Sequence, residues 1–304
     1  MNKNMAKRLL DKGARFIGQG ITGFEGSRSL PKMLEFGTQI VAGVTPGKGG
    51  QVLEGVPIFN TVKEALAQVG QVDGSIQFAP PLRVLGAVQE ALEAGIKWIL
   101  TGAEKVPTKD EAIINSLVKQ HEAVLIGPNT AGMINVAKEL KLGFLAVADT
   151  NKAFTEGEIA VLSKSGSMTA ETSLHLKNNG LGVSWAVCVG GDIIPGTTFG
   201  DLLLELEADP QTKASVIFGE LGGTYEEQVA ELVKSGKISK PVVAFIAGDF
   251  TLQLPKQVQF GHAGAIIEGE RGKPDHKRQV LRDAGVKVAE NFDDIADLVA
   301  QAIK

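Results

Sequence analysis

Short runs rich in Val, Ile and Leu alternate along the chain with segments whose apolar residues recur at helical spacing. Runs of the first kind are typical of parallel strands buried on both faces, and segments of the second kind are typical of amphipathic helices. Their repeated alternation predicts an α/β fold with two open parallel sheets covered by helices. The predicted strands are 14–18, 39–44, 75–78, 97–100, 124–126, 159–162, 183–189, 215–218, 242–246 and 286–288, and the predicted helices include 62–69 and 83–94.

The length of 304 residues predicts two domains, since a domain averages roughly 150 residues. The polar, weakly periodic stretch 136–157 is the predicted boundary region. We therefore expect one domain over 1–145 and a second over 146–304. Hydrophobic residues make up 43% of the chain, which supplies enough apolar material for packed cores and excludes intrinsic disorder.

Composition also argues against several classes of protein. The net charge is −4 and aromatic residues make up only 5%, so no nucleic-acid partner is expected. No apolar run approaches the ~18–20 residues of a membrane span, and the N-terminus lacks the apolar core of a signal peptide. The expectation is a soluble, cytoplasmic protein. Cys188 is the single cysteine, and no set of His, Cys and carboxylate residues has metal-site spacing, so no metal is expected.

A glycine-rich loop follows the first predicted strand, with glycine at 18, 20 and 23 in a G-x-G-x-x-G pattern. Between a strand and a helix this pattern indicates a phosphate site, and a tight turn without a ligand is the alternative. An NAD site requires an acidic residue about 20 positions on. The second strand instead leads into a flexible loop with Lys48, which suits an additional phosphate. The residues therefore favour coenzyme A (CoA) over NAD.

Two motifs in the second half indicate phosphoryl chemistry. Ser165-Gly166-Ser167 opens a predicted helix, which favours an anion site, with ordinary serine capping as the alternative. His262 lies among small residues, and an imidazole can accept a phosphoryl group as a covalent nucleophile. A nearby carboxylate would fix its tautomer. Glu220 is a carboxylate in a turn with three glycines.

Nine collinear segments resemble the α-subunit family of succinyl-CoA synthetase. The same set occurs in the corresponding part of ATP-citrate lyase and in citryl-CoA synthetase. The segments are GITGFEG, GTQIVAGVTPGKGG, GVPIFNTVKEA, GPNTAGMI, SKSGSMTAE, GGDIIPGTTF, DPQT, GELGGTYEE and GHAGAII. This resemblance implies an N-terminal CoA-binding Rossmann domain followed by a flavodoxin-like ligase domain. It also implies a reversible reaction in which an acid, CoA and ATP or GTP give an acyl-CoA, the nucleoside diphosphate and phosphate.

The resemblance also implies the site residues. His262 would carry the phosphoryl group, and Glu220 would orient its ring. The nucleotide, with Mg, would bind mainly on a β-type ATP-grasp subunit, in an αβ or α2β2 assembly. The residues implied for CoA are Thr22, Gly23, Phe24, Glu25 and Lys48, with Gly102, Ala103 and Glu104 near its thiol; those implied for phosphate are Ser165, Gly166 and Ser167, and those implied for the acid are Ala170, Gly222 and Gly223.

Departures from the succinate pattern bear on the acid. Ala170 stands where succinate enzymes have a tyrosine, which leaves a larger or differently lined pocket. The segment Gln259-Phe260-Gly261-His262 resembles the citrate branch. Citrate is therefore the predicted acid, only slightly ahead of succinate, and other di-acids or sulfonated acids remain open. The other hypotheses are a CoA-binding regulatory module without catalysis and, third, an NAD-dependent dehydrogenase.

Overall fold

The structure, a computed structural model, describes residues 7–146, 149–249, 261–267 and 271–304. Its first sheet has the spatial order β3-β4-β2-β1-β5-β6-β7. The strand bounds are β1 (Arg15–Gln19), β2 (Gln39–Val44), β3 (Val52–Leu53), β4 (Val56–Phe59), β5 (Gly74–Gln77), β6 (Trp98–Thr101) and β7 (Val124–Ile126), and the helices are α1 (Phe24–Phe36), α2 (Val62–Val69), α3 (Val84–Glu93) and α4 (Thr108–Gln120).

The second sheet follows along the chain. Its strands are β8 (Gly132–Asn135), β9 (Leu140–Gly143), β10 (Glu156–Ser163), β11 (Val183–Cys188), β12 (Ala214–Gly219), β13 (Val242–Ile246) and β14 (Lys287–Val288), in the order β14-β13-β12-β10-β11-β8-β9. Its helices are α5 (Thr150–Ala153), α6 (Gly166–Asn178), α7 (Phe199–Leu206), α8 (Tyr225–Lys234), α9 (Pro274–Asp283) and α10 (Asp294–Ala302).

Both sheets bring glycine-rich loops together at the carboxyl ends of parallel strands. In the first sheet, β1 pairs in parallel with β2 on one side and β5 on the other, so the loop after β1 lies where the connections diverge. In the second sheet, β10 lies between β11 and β12, also in parallel. The loops that follow β10, β11 and β12 therefore lie side by side at one edge of the second sheet. In open α/β sheets this is the edge at which ligands bind.

The α/β prediction is confirmed, whereas the expectation of wholly parallel sheets is wrong. In the first sheet β3 pairs antiparallel with β4. In the second, β8 and β9 form an antiparallel hairpin, and β8 pairs antiparallel with β11. The strands β8 and β9 escaped prediction because each contains a polar residue that is nonetheless buried, Asn135 and Lys141 respectively, and β3 has only two residues. The predicted bounds 39–44, 124–126 and 242–246 match β2, β7 and β13.

The β8–β9 hairpin also bears on the domain limits of 1–145 and 146–304. It precedes the predicted boundary, yet it pairs with the second sheet. The hairpin remains joined to the first half, because the Thr38 hydroxyl donates to the Lys141 carbonyl at 2.9 Å and accepts from its amide at 2.9 Å. Sheet membership thus changes between Ile126 and Gly132, and the boundary at 145/146 stays a prediction.

A continuous apolar core joins the two halves. One cluster of buried residues contains Phe16, Trp98 and Ile126 from the first sheet together with Trp185 and Phe199 from the second half. The rings of Phe16 and Trp98 meet edge to face at 5.8 Å between centroids. Within the described ranges, no helix has the length and apolar character needed to cross a bilayer.

Candidate active site

His262 and Glu220 form the centre of the site. Glu220 directly follows β12, and its two carboxylate oxygens lie 3.0 and 2.9 Å from Nδ1 of His262. Their side chains are 25% and 17% exposed, so the pair is largely enclosed yet reachable. Because an ionised carboxylate can only accept, Nδ1 carries the ring proton and Nε2 retains a lone pair. The structure therefore brings together the histidine and the carboxylate that the sequence singled out, and their catalytic roles stay predictions.

Glu220 and His262 each stabilise the charged form of the other. Burial raises the pKa of Glu220, but the hydrogen bond from His262 and the charge of Lys164 outweigh burial, and the net effect is a lowered pKa. The hydrogen bond to Glu220 raises the pKa of His262 and outweighs burial, which acts in the opposite direction. Glu220 therefore stays ionised near neutral pH and stabilises positive charge on the imidazole ring.

A buried ion pair fixes the turn that carries Glu220. Lys277 on α9 and Glu226 on α8 are both fully buried, with Nζ 2.5 Å from Oε2. The Lys277 ammonium also donates to the carbonyls of Glu220 at 2.8 Å and Gly222 at 2.6 Å. The second Glu226 oxygen accepts from the Glu220 amide at 3.3 Å. The backbone on both sides of the Glu220 side chain is thus anchored to two helices.

The loop after β11 packs directly against the histidine. Gly191 lies so close to the ring that a Cβ at this position would overlap Cδ2, Cγ and Cβ of His262. The Gly264 amide donates to the Gly191 carbonyl at 2.9 Å, and the Ala265 amide donates to the His262 carbonyl at 2.9 Å. A side chain at position 191 is therefore incompatible with this position of the ring.

The first turn of α6 faces the same histidine across a cavity of ≈ 530 Å³. Ser165 is the N-cap residue and accepts from the Met168 amide at 3.4 Å. The first-turn amides of a helix have no acceptor within it and attract an anion. The cavity is lined by Asn129, Ala131, Phe144, Leu145, Ala146, Lys164, Ser165, Gly166, Ser167, Ala170, Glu171 and His262.

Lys164 is a site residue that the sequence reasoning did not single out. Its ammonium lies 3.7 Å from Glu220, 3.4 Å from the Gly222 carbonyl and 4.5 Å from the centroid of the Tyr225 ring. It is only 5% exposed, yet it lines the cavity beside His262. The sequence did contain a signal for Lys164, because this lysine stands directly between the end of a buried strand and the Ser-Gly start of a helix. A positive charge at that point lies beside the expected anion site.

Gly222 and Gly223, predicted to contact the acid, lie against the histidine loop from its other side. Both have a positive φ, of 77° and 63°, and a Cβ on Gly222 would overlap the backbone of Ala265. Gly223 lines a neighbouring cavity of ≈ 800 Å³ rather than the one beside His262. Their contact with the acid stays a prediction. Gln259 and Phe260, used to argue for citrate, lie outside the described residues.

The glycine loop between β1 and α1 has the features of a phosphate site. Gly23 is the N-cap residue of α1 and has no side chain to occupy the first-turn amides. Thr22 contacts Thr45 at the end of β2, with 3.2 Å between the hydroxyl oxygens. Phe24, the first residue of the helix, is 72% exposed, so a ligand could lie along this turn. The exposed carboxylate of Glu25 shares the turn and is the one feature that disfavours an anion.

The loop that carries Lys48 is exposed to solvent and is held in place by hydrogen bonds to Asn60. The amides of Gly47 and Gly49 donate to Oδ1 of Asn60 at 2.9 and 3.1 Å. Gly47 and Gly50 have positive φ angles, and a Cβ would meet nothing within 4 Å at either. These residues therefore leave space for a bulky phosphorylated ligand and supply a lysine beside it. The donor set fits CoA, and position 45 carries a threonine where an NAD site needs a carboxylate.

The segment Gly102–Glu104, predicted to bind CoA, and the histidine cavity are connected through Asn129. The Asn129 amide donates to the Ala103 carbonyl at 2.8 Å, and Asn129 also lines the cavity beside His262. Glu104 is near enough for its charge to contribute to the raised pKa of His262. The segment Gly102–Glu104, predicted to lie near the thiol of CoA, therefore borders the cavity beside His262. Among the described residues, no three His, Cys, Asp or Glu side chains converge to hold a metal ion.

Both halves of the chain match models of known protein families. Residues 11–104 match the model of a CoA-binding domain, and residues 162–288 match the model of CoA-ligase. The α subunit 1 of ADP-forming succinate–CoA ligase from Archaeoglobus fulgidus is 42% identical over 97% of this chain and 98% of its own length. A subunit of ADP-forming sulfoacetate–CoA ligase from an Acholeplasma species is 42% identical over 93% of each chain.

A solved structure shows the same arrangement. ATP citrate lyase from Methanothrix soehngenii, in complex with citrate and coenzyme A, superposes with a TM-score of 0.87 at 28% identity. The match covers 97% of this chain and 50% of the lyase chain, so this chain spans half the length of that relative.

Proposed function

This chain belongs to the CoA-ligase family of α-type subunits of ADP-forming acid–CoA ligases, and we propose that it joins a small carboxylic acid to CoA at the expense of ATP or GTP. The observation that carries the proposal is the His262–Glu220 hydrogen bond, at 2.9 Å, placed across a cavity from the amino end of α6. A nucleophilic imidazole and an anion-binding helix end are the two elements that a phosphohistidine intermediate requires.

In the first step, Nε2 of His262 attacks the γ-phosphorus of the nucleotide, and the nucleoside diphosphate leaves. No proton has to move, because the ring proton stays on Nδ1 and is shared with Glu220. The ring gains positive charge, which the ionised Glu220 stabilises, as the raised pKa of His262 indicates. The phosphoryl oxygens meet Lys164 and the first-turn amides of Gly166 and Ser167, which line the cavity with Ser165 and His262.

In the second step, a carboxylate oxygen of the acid attacks the phosphorus, and the phosphorus–Nε2 bond breaks to give an acyl phosphate and free His262. The thiol of CoA then attacks the acyl carbon, phosphate leaves, and the thiol proton passes to the phosphate or to water. CoA would lie along the Thr22–Glu25 turn and Lys48, with its thiol near Gly102–Glu104. Support for this path is the contact between Ala103 and Asn129, which borders the histidine cavity.

For the acid, we propose a small molecule with a carboxylate and a second acidic group. Succinate, sulfoacetate and citrate share this chemistry. Relatives named for succinate and sulfoacetate are 42% identical to this chain, and the lyase named for citrate is 28% identical. This difference favours the first two over citrate, which stays a prediction from the sequence. Ala170 lines the cavity and leaves room that a tyrosine would fill.

The nucleotide and its Mg would be held by a β-type ATP-grasp partner, in an αβ or α2β2 assembly. Support comes from the relatives named as α subunits and from the lyase chain, which is about twice the length of this one. The cytoplasm is the compartment expected from the sequence.

The test combines the purified chain with its ATP-grasp partner and ATP labelled at the γ-phosphorus. We expect acid-labile, base-stable phosphate on this chain, and none in His262→Asn. His121→Asn, at the carboxyl end of α4, is the matched control and should label like the unaltered chain. Label that persists in His262→Asn would refute the mechanism. CoA binding without label under any condition would instead indicate a non-catalytic module.

The identity of the acid is then measured directly. The labelled complex is supplied with CoA and with succinate, sulfoacetate or citrate in parallel, and acyl-CoA is quantified. We expect succinate or sulfoacetate to discharge the label and give product. A complex that uses citrate alone would overturn the order given above.

A further inference from the structure

Two buried carboxyl groups meet where the two halves of the molecule join. Glu111 lies in the first turn of α4, in the first half, and Asp192 lies in the loop after β11, in the second. They are 1% and 5% exposed. The mechanism above uses neither of them, although Asp192 directly follows the glycine that packs against His262.

Backbone amides hold both groups across the junction. The amides of Val106 and Lys105 donate to the two Asp192 oxygens at 3.2 and 3.4 Å. The Ile194 amide donates to one Glu111 oxygen at 3.0 Å. Each half of the molecule therefore contributes amide donors to the carboxyl group of the other half. The carboxyl groups of Glu111 and Asp192 also lie within hydrogen-bond reach of each other, and two adjacent carboxylates repel each other unless one of them carries a proton.

The hydrogen bonds indicate which group carries that proton. Both oxygens of Asp192 accept from amides, whereas Glu111 uses one oxygen and has the other for a hydroxyl that can donate to Asp192. Burial raises the pKa of Glu111 to about 7, and the neighbouring Asp192 adds to the rise. A protonated Glu111 can donate to Asp192 while its other oxygen accepts from the Ile194 amide.

The position of Asp192 is transmitted to the histidine through two glycines. Gly191 lies against the His262 ring, and a Cβ on Gly264 would come within 2.8 Å of the Asp192 carbonyl. The Gly264 amide already donates to the Gly191 carbonyl. No flexible side chain intervenes in these contacts, so a displacement of Asp192 moves the backbone on which the ring rests.

We propose that Glu111 and Asp192 form a carboxyl pair that shares one proton and positions His262 for phosphoryl transfer. They are positioning residues, since neither contacts the reacting atoms. The inference rests on the proposed function of His262. When the shared proton is lost, the two carboxylates repel each other, the loop 190–195 shifts, and the ring loses its support.

Other titratable groups surround the pair, and the experiment must separate their effects. Glu104 and Lys105 lie on the segment that leads into α4. Tyr225 and Lys164 line the same cavity as Asp192, and His262 lies behind Gly191. Burial raises the pKa of Tyr225 far above the working range, so it stays neutral. His262 titrates in the opposite sense to Glu111, since its nucleophilic form is gained as the pH rises.

The test compares Glu111→Gln with Asp192→Asn in the complex with the ATP-grasp partner. Glutamine reproduces protonated Glu111, because its amide donates to Asp192 and its oxygen accepts from Ile194. In Asp192→Asn, the side-chain NH2 group faces one of the two backbone amides from which Asp192 accepts a hydrogen bond, so two donors oppose each other. We expect Glu111→Gln to label within about threefold of the unaltered chain at pH 6, and Asp192→Asn to lose about 10–100-fold at every pH. Glu93→Gln, exposed on α3, is the matched control.

The pH profile separates positioning from a merely structural role. The pKa of Glu111 is about 7, so the labelling rate of the unaltered chain should fall relative to that of Glu111→Gln as the pH rises through about 7. The titration of His262 affects both proteins alike, and the variant should therefore be the faster of the two at pH 8.5. Identical profiles for the two proteins, or equal losses in the two variants, would overturn the proposal.

A second readout needs no activity. In thermal unfolding of the full chain, the pKa of Glu111 drops from about 7 in the folded state to 4.5 in the unfolded state. Glu111→Gln should therefore gain stability relative to the unaltered chain as the pH rises from about 4.5 to 7, and the difference should stay constant above 7. An unaltered chain that never labels would refute the proposed function, and the unfolding series alone would then decide whether the pair shares a proton. Normal labelling without any pH difference in either readout would refute the pair and leave the function intact.

Discussion

At the scale of single residues, the site depends on which nitrogen of His262 is free. Glu220 accepts from Nδ1 at 2.9 Å, which leaves Nε2 with the free lone pair that the proposed mechanism uses. Three features hold Glu220 in its ionised form and in place: the ring, Lys164, and the Lys277–Glu226 ion pair beneath its backbone. The reactivity of one imidazole therefore depends on residues from four segments of the second half.

Replacing Glu220 by glutamine tests this dependence. In Glu220→Gln the amide can accept from Nδ1 only weakly and no longer stabilises the charged ring, so we expect phosphorylation to fall on the order of 100-fold. The hydrogen bond to Glu220 is the main cause of the raised pKa of His262. Its loss lowers that pKa, and the acid limb of the pH–rate profile should move to lower pH.

The measurement is the initial rate of labelling between pH 5 and 9, with Glu231→Gln, exposed on α8, as the control. An acid limb that stays in place or moves upward would show that Glu220 does not set the protonation of the histidine.

At the scale of elements, the site is an assembly of loops that approach one another without side chains between them. The loop after β11 and the loop that carries His262 pack through Gly191 and Gly264. The Gly264 amide donates to the Gly191 carbonyl, and Gly191 lies directly against the His262 ring, so there is no space for a side chain at position 191.

Gly191→Ala tests that close approach. The added methyl overlaps the His262 ring, so we expect labelling to fall at least tenfold while the protein remains folded. Gly86→Ala on α3 is the matched control, because a Cβ there meets nothing within 4 Å. Alanine in a helix should raise stability by about 0.5–1 kcal/mol. Circular dichroism and labelling rates measure both effects, and unchanged labelling in Gly191→Ala would contradict the packing described.

Sequence reasoning succeeded where an element has a local signature and failed where tertiary contacts decide. Strands such as Val124–Ile126 consist of uninterrupted aliphatic residues, so their period is visible. The β9 strand contains Lys141, which a local pattern places at the surface but the fold buries. His262 was visible because its small neighbours left few structural roles for it. Lys164 and the Glu111–Asp192 pair were not, since their partners lie 20 or more positions away.

At the scale of the whole molecule, the junction between the halves contains a lysine that costs stability. Lys141 is fully buried on β9, and its ammonium donates to the Leu145 carbonyl. Burial lowers its pKa to about 8, and the charge of Lys32 adds to the effect. In the unfolded chain the pKa returns to 10.5. Between pH 8 and 10.5 the unfolded state therefore binds more protons, and the free energy of unfolding rises with pH.

Lys141→Met should remove this cost. We expect the free energy of unfolding at pH 7 to increase by about 2 kcal/mol, because an apolar side chain of similar length replaces a buried charge. As the pH rises from 8 to 10.5, the unaltered chain should gain up to about 3 kcal/mol on the variant, so the advantage of the variant should fall to zero or reverse. Urea unfolding at several pH values measures it, with exposed Lys97→Met as the control. A difference that does not change with pH would mean that Lys141 titrates normally.

The hairpin of β8 and β9 has a consequence for how such a protein can be divided or joined. A gene split at the apparent linker after residue 145 would leave the hairpin on the first fragment and remove two strands from the edge of the second sheet. Both fragments would then expose unpaired strand edges, which promote aggregation. A break between Ile126 and Gly132 would keep each sheet intact. In circular permutation, split reporters and gene fusions, the new chain ends should therefore be placed in that five-residue window and not in the polar stretch after residue 145.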